Sequence, residues 1–146
     1  MKQLIACLLV TSISLSSVNC SNGKDEDIEV KNDFTNSEFI KSQMVGKWNY
    51  WGHLSPSTNS WWYSGDVYKW YFVFKEDGTY ECKNLSSDLQ KGTYWITPAT
   101  AEYNAILYLN YKDGTKDRTR KIILKKLESK SAIIYESSFD ERYDKE

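Results

Sequence analysis

The side chains able to do covalent or acid–base chemistry are few in this 146-residue chain: one histidine, three cysteines and scattered carboxylates. His53 has serines nearby, but none sits in a Gly-x-Ser-x-Gly elbow that would expose a nucleophile. A lone histidine in that setting reads as a solvated or packing residue. Asp113 and Asp117 straddle a turn without the acidic density of a calcium loop. Asp66, Asp77 and Glu102 have no spacing that brings two carboxylates across a glycosidic bond. No glycine-rich phosphate cradle is present, and no His/Cys/Asp/Glu set has metal-ligand spacing. The expectation is a non-enzymatic protein with no catalytic residue, no metal and no cofactor.

Aromatic rings are the richer signal. Half of them fall between Trp48 and Phe74, and five of the six tryptophans lie between Trp48 and Trp70. The segment Asn49 to Asp66 sets Tyr50, Trp51, His53, Trp61, Trp62 and Tyr63 around Ser55-Pro56-Ser57-Thr58-Asn59-Ser60. It reads as a long polar loop flanked by aromatics. On extended backbone, adjacent Trp61 and Trp62 point to opposite sides, so one packs inward while the other stays at a rim. A part-exposed tryptophan offers a flat apolar face and a polar N–H. Trp51, Trp61, Trp62, Tyr63 and Trp70 are therefore the candidate ligand contacts. The competing reading is that these rings fill and lid a small core.

The length supports one domain, and the near-neutral net charge of −1 argues against a nucleic-acid partner. Met1-Lys2-Gln3 followed by Leu4 to Val10 has the pattern of a secretory signal, too short for a spanning helix. Its end, Ser16-Ser17-Val18-Asn19-Cys20, resembles a loose bacterial lipobox. That resemblance implies a cleaved signal at 1–19, an acylated Cys20 as membrane anchor, and loss of Cys7 with the signal. Cys82 is then alone, with no disulfide to staple the domain. The other reading is an ordinary signal peptide with Cys20 a bystander. Residues 24–33 carry five acids and two lysines, so 20–34 is expected to be a flexible tether. Lys24-Asp25-Glu26 resembles an export signal that sends lipoproteins to the outer face of the outer membrane in one Gram-negative phylum.

The remainder, 35–146, organises as one helix followed by strands. Thr35-Asn36-Ser37-Glu38 supplies capping residues, and a helix over about 37–44 ends before Gly46. From there a period of two takes over. Tyr68, Trp70, Phe72 and Phe74 alternate up to Glu76-Asp77-Gly78, and Thr79 to Lys83 returns. Asp-Gly between alternating runs is a hairpin signal because glycine accepts positive φ. In that register Tyr80 and Cys82 share a face, which makes Cys82 a buried small hydrophobe. Further strands are read at 91–97, 105–111 and 118–126, with 132–136 the last clear one. Six or more short strands joined by turns mean an all-β meander closed as a sandwich or barrel.

Met44-Val45-Gly46-Lys47-Trp48 resembles the Gly-x-Trp motif opening the first strand of lipocalins and their bacterial lipocalin-like relatives. Phe72-x-Phe74, Asp77-Gly78-Thr79-Tyr80, Gly92-x-Tyr94, Leu107-x-Leu109 and Asp113-Gly114-Thr115 follow in an order similar to small lipocalin-like lipoproteins. The resemblance spans about 37–136. It implies a small antiparallel up-and-down β-barrel with a short N-terminal helix at one end, and gives Gly46 and Trp48 structural roles, with Trp48 inside near the closed end. The aromatic segment between Trp48 and Tyr68 departs from the pattern and leaves open whether a cavity survives.

Residues 112–130 are locally basic, with Arg118, Arg120, Lys121, Lys125, Lys126 and Lys130. They read as a solvated outer face over inward Ile122 and Leu124, or Ile123 and Leu127; a face toward anionic lipid is the alternative. The sequence thus leads to a lipid-anchored, outer-membrane binding protein of a Gram-negative cell envelope. Its ligand is expected to be a small apolar or amphipathic molecule at an aromatic barrel mouth; the alternative is a glycan- or protein-binding accessory module.

Overall fold

The computed structural model describes residues 33–65, 69–84 and 88–146. The signal, Cys7, Cys20, nearly all of the tether, Asp66 and Tyr68 lie outside the described residues. Asn36 caps α1 (Ser37–Met44), its side-chain oxygen accepting from the N–H groups of Glu38 and Phe39 at 3.0 and 3.1 Å. Ile40 and Met44 form the buried stripe of this helix. The chain leaves it through Val45 and Gly46, whose φ of +130° lies where a side chain would be strained.

Nine strands follow: β1 Gly46–Ser55, β2 Ser60–Tyr63, β3 Tyr71–Phe74, β4 Thr79–Lys83, β5 Gln90–Thr97, β6 Ile106–Asp113, β7 Lys116–Leu127, β8 Ser131–Glu136 and β9 Phe139–Lys145. Each is antiparallel to its neighbours, and β9 returns to pair with β1. The eight strands β1 and β3 to β9 close an up-and-down barrel, as the alternating pattern and the lipocalin-like resemblance imply. α1 covers the end where β1 starts, and the β1–β2 hairpin rises at the other, open end.

Three features differ from the sequence reading. Asn49 to Asp66 is not a long loop: β1 continues to Ser55, turns over Pro56–Asn59 and returns as β2. The strand expected from Tyr68 is formed from Tyr71, with Trp70 bonded to β1 just before it through its carbonyl and Tyr50 N–H, 3.0 Å apart. A further strand, β9, follows the last one read, and it is the one that closes the ring.

Two bulges set which side chains face inward. Trp51 is the extra residue between the pairs Tyr50–Tyr143 and Gly52–Arg142, so Tyr50 and His53 share the inner side although their parity differs. Lys125 plays the same part opposite β8. That settles the choice left open by the sequence: Ile122, Leu124 and Leu127 are all buried. At Gly52 a Cβ would stand 2.1 Å from the Trp62 carbonyl oxygen, so only glycine lets β2 lie this close.

The core is apolar toward the helix end. Trp48, 1% exposed, packs with Phe72, Phe74, Leu107, Ile122, Leu124 and Ile134. Its indole N–H donates to the Met44 carbonyl at 2.7 Å, tying α1 to the barrel. Phe34 packs against the same core, and its carbonyl accepts from the Ala99 N–H at 2.6 Å. Only about 20 Å3 remains open among Met44, Trp48, Phe74 and their neighbours, room for about one water. Trp48→Ala is expected to cost about 3–5 kcal/mol of unfolding free energy, measured by chemical denaturation.

Candidate functional site

The alternation that buries Ile122 and Leu124 on β7 carries the next inward position of that strand to Arg120. On β8 the same step leads from Ala132 and Ile134 to Glu136, and on β9 from Tyr143 to Glu141. These inward positions lie beyond the apolar layer, at the open end, where water can reach them. There they surround a cavity of about 620 Å3, whose lining includes Trp70, Phe72, Cys82, Gln90, Tyr111 and Tyr143.

Arg120 grips Glu136 at two points, Nε to Oε1 at 2.7 Å and Nη2 to Oε2 at 2.5 Å. This is the strong fork-to-carboxylate geometry of charge-assisted pairs. Burial opposes the Arg120 charge, but the hydrogen bonds and charge of Glu136 outweigh it and raise the guanidinium pKa. The guanidinium also lies over the Phe72 ring, 5.8 Å from its centroid. Arg120 Nη1 faces the Cys82 sulfur at 3.9 Å. Burial pushes the Cys82 thiol up, with Arg120 pulling against it, so this thiol stays protonated at neutral pH.

Glu141 is held differently. Its carboxylate accepts one hydrogen bond, from the Tyr143 hydroxyl at 3.0 Å. Burial raises its pKa and the charge of Glu136 raises it further; the Tyr143 bond and Arg120 lower it by less. Tyr80 and Cys82 both donate to Gln90 Oε1, at 3.1 and 3.4 Å, fixing the opposite wall.

The five aromatic candidates divide between two places. Trp61 and Trp62 do point to opposite sides of β2. Trp62 lies with His53 and Phe139 on the inner side of the hairpin, centroids 5.1 and 5.3 Å from the imidazole. His53 Nδ1 is 3.0 Å from the Tyr50 hydroxyl, so the lone histidine is built into this wall. Trp51, Trp61 and Tyr63 form an outer stack, Trp51 lying 6.1 Å from Trp61 and 5.2 Å from Tyr63. Arg142 covers Trp51 at 4.7 Å. Trp61, Trp62 and Tyr63 are 38%, 46% and 59% exposed. Trp51 and Tyr63 face an outer groove of about 760 Å3 with Lys47, Asn49, Lys69 and Asp144. Trp70 lines both this groove and the mouth, its ring 4.5 Å from Tyr50.

Arg120, Glu136 and Glu141 are the site residues that the reading for ligand contacts passed over. Arg120, expected with its basic neighbours on a solvated outer face, points into the barrel; Lys121 and Lys125 occupy the outer face, over Tyr108 and Tyr135. Counting by twos from Ile122, Ile134 and Tyr143 is the signal that finds all three. Among the described residues no group of three or more His, Cys, Asp or Glu side chains is placed to hold a metal ion.

Glu141 keeps its proton to higher pH folded than unfolded. The folded state therefore binds more protons above the ordinary carboxylate pKa of about 4.3, and stability falls as pH rises from there through the folded pKa. Glu141→Gln removes that dependence. The thermal midpoint of the wild type relative to Glu141→Gln is expected to drop as pH is raised from 4 to 8 in matched melts. No protein-family model matches the chain, and searches of curated proteins and of solved structures likewise return no match.

Proposed function

We propose that the protein is a lipid-anchored binding protein of the cell envelope that captures a small amphipathic molecule in its barrel mouth. The observation that carries this reading is the contrast between the two ends of the barrel. The helix end is filled to about 20 Å3, while the mouth keeps about 620 Å3, within the range of small-molecule sites. An aromatic floor under charged walls suits a molecule with an apolar body and a polar group. Trp70 lines the mouth and Trp62 stands on the inner side of the hairpin above it; these two are the contacts proposed for such a ligand. Trp51, Trp61 and Tyr63 serve a second reading, in which their exposed outer stack beside Asn49 and Asp144 holds a glycan. Anchoring through Cys20, a lipocalin-like ancestry and display on the outer membrane belong to the same proposal, supported by the lipobox-like segment and by the fold.

Intrinsic tryptophan fluorescence, titrated with fatty acids, alkyl amines, isoprenoids and oligosaccharides, tests it. Trp70→Ala is expected to weaken an amphiphile about tenfold or more, with the melting temperature far less affected than in Trp48→Ala. A response to oligosaccharides alone, lost in Trp61→Ala, would move the site to the outer groove. Cys20→Ala is expected to shift the protein from the detergent phase to the aqueous phase of a partitioning assay, because the acyl chains supply the membrane affinity.

A further inference from the structure

The charges in the mouth are unequally matched. Arg120 commits Nε and Nη2 to Glu136, so the pair is locally neutral. Glu141 faces the same cavity and makes no salt bridge among the described residues; its one hydrogen-bond donor is the Tyr143 hydroxyl. Lys83, at the lip, is exposed to water. The inner mouth therefore holds one more negative charge than positive once Glu141 ionises. A carboxylate left in a part-buried site favours any cation that can replace its lost hydration.

The rings add to this bias. Phe72 already carries a cation on its face, the Arg120 guanidinium at 5.8 Å, and Trp70 and Tyr143 extend the aromatic lining beside it. Such faces attract ammonium groups and repel carboxylates. An entering anion would meet the carboxylates of Glu136 and Glu141, with only Nη1 of Arg120, beside the Cys82 sulfur, outside the two-point grip. An entering cation would break nothing.

We infer that the mouth selects cationic amphiphiles, an amine or quaternary ammonium on an apolar chain, with the charge seated against Glu141 and the chain over Phe72 and Tyr143. This inference rests on the mouth being the ligand site. Glu141 pairs across the sheet with His53 of β1 and is bonded by Tyr143 on its own strand; Cys82 and Lys83 of β4, Tyr111 of β6, Arg120 of β7 and Glu136 of β8 line the same mouth.

Four ten-carbon probes used below their micelle concentrations make the test: decylamine, decyltrimethylammonium, decanol and decanoate, titrated by calorimetry. The two cations are expected to bind about tenfold or more tighter than decanol, and decanoate more weakly than decanol. Glu141→Gln should abolish the preference of the two cations over decanol. On the wild type alone, cation affinity should fall as pH is lowered from 8 to 4, since both cations stay charged while Glu141 takes up its proton, and decanol affinity should not; this arm holds even if the variant folds poorly. A preference or a pH dependence that survives in Glu141→Gln, or tighter decanoate, overturns the inference. If in those cases Trp70→Ala weakens all probes alike, the mouth remains the site and only its charge selectivity is wrong. If none of the four binds, both readings fall.

Discussion

The sheet becomes a barrel only where β9 meets β1, and β1 has to satisfy both of its edges at once. On one edge it pairs with β9 from Trp48 to His53; on the other it pairs first with β3 and then with β2. A strand pressed from both sides has no freedom to slip, because a one-residue shift would turn every core side chain outward. The register across this seam shifts once, at the bulge on Trp51. At the same level the opposite edge changes partner: the Ser64 N–H bonds the Trp51 carbonyl at 3.1 Å, and the Tyr50 N–H bonds the Trp70 carbonyl. The bulge and the change of partner together mark where the closed barrel gives way to the projecting β1–β2 hairpin.

Polarity along the barrel axis follows from access to water. The helix end excludes solvent, so a charge placed there would lack compensation, and the inward positions are apolar or aromatic. At the mouth a charge can be partly hydrated, and Arg120, Glu136 and Glu141 are tolerated. The Arg120–Glu136 pair adds little net stability, since desolvation offsets much of the attraction. What it fixes is position, holding the guanidinium over the Phe72 ring. The charged residues of the mouth thus sit where the fold itself gains little from them.

Much of this architecture was legible in the sequence because its inward positions are apolar. Phe72 and Phe74, Leu107 and Leu109, and Ile122 and Leu124 announce their strands by alternation. β2 was hidden because Ser60-Trp61-Trp62-Tyr63 is exposed on both faces and has no alternation to read. β9 was hidden for the opposite reason: its inward positions include Glu141 at the mouth, so Phe139 to Lys145 looks like a charged tail. The polar half of the site escaped for the same cause. Alternation marks a strand only while its inward positions are apolar, and at the open end of the barrel they are not.

The placement of the two ends of the domain decides how the mouth is presented. Phe34 enters beside Ala99, and Lys145 and Glu146 finish against Gln43 and Lys47, so the described chain begins and ends on the helix side. The two ends of the described chain thus leave the opposite, open end of the barrel clear of both.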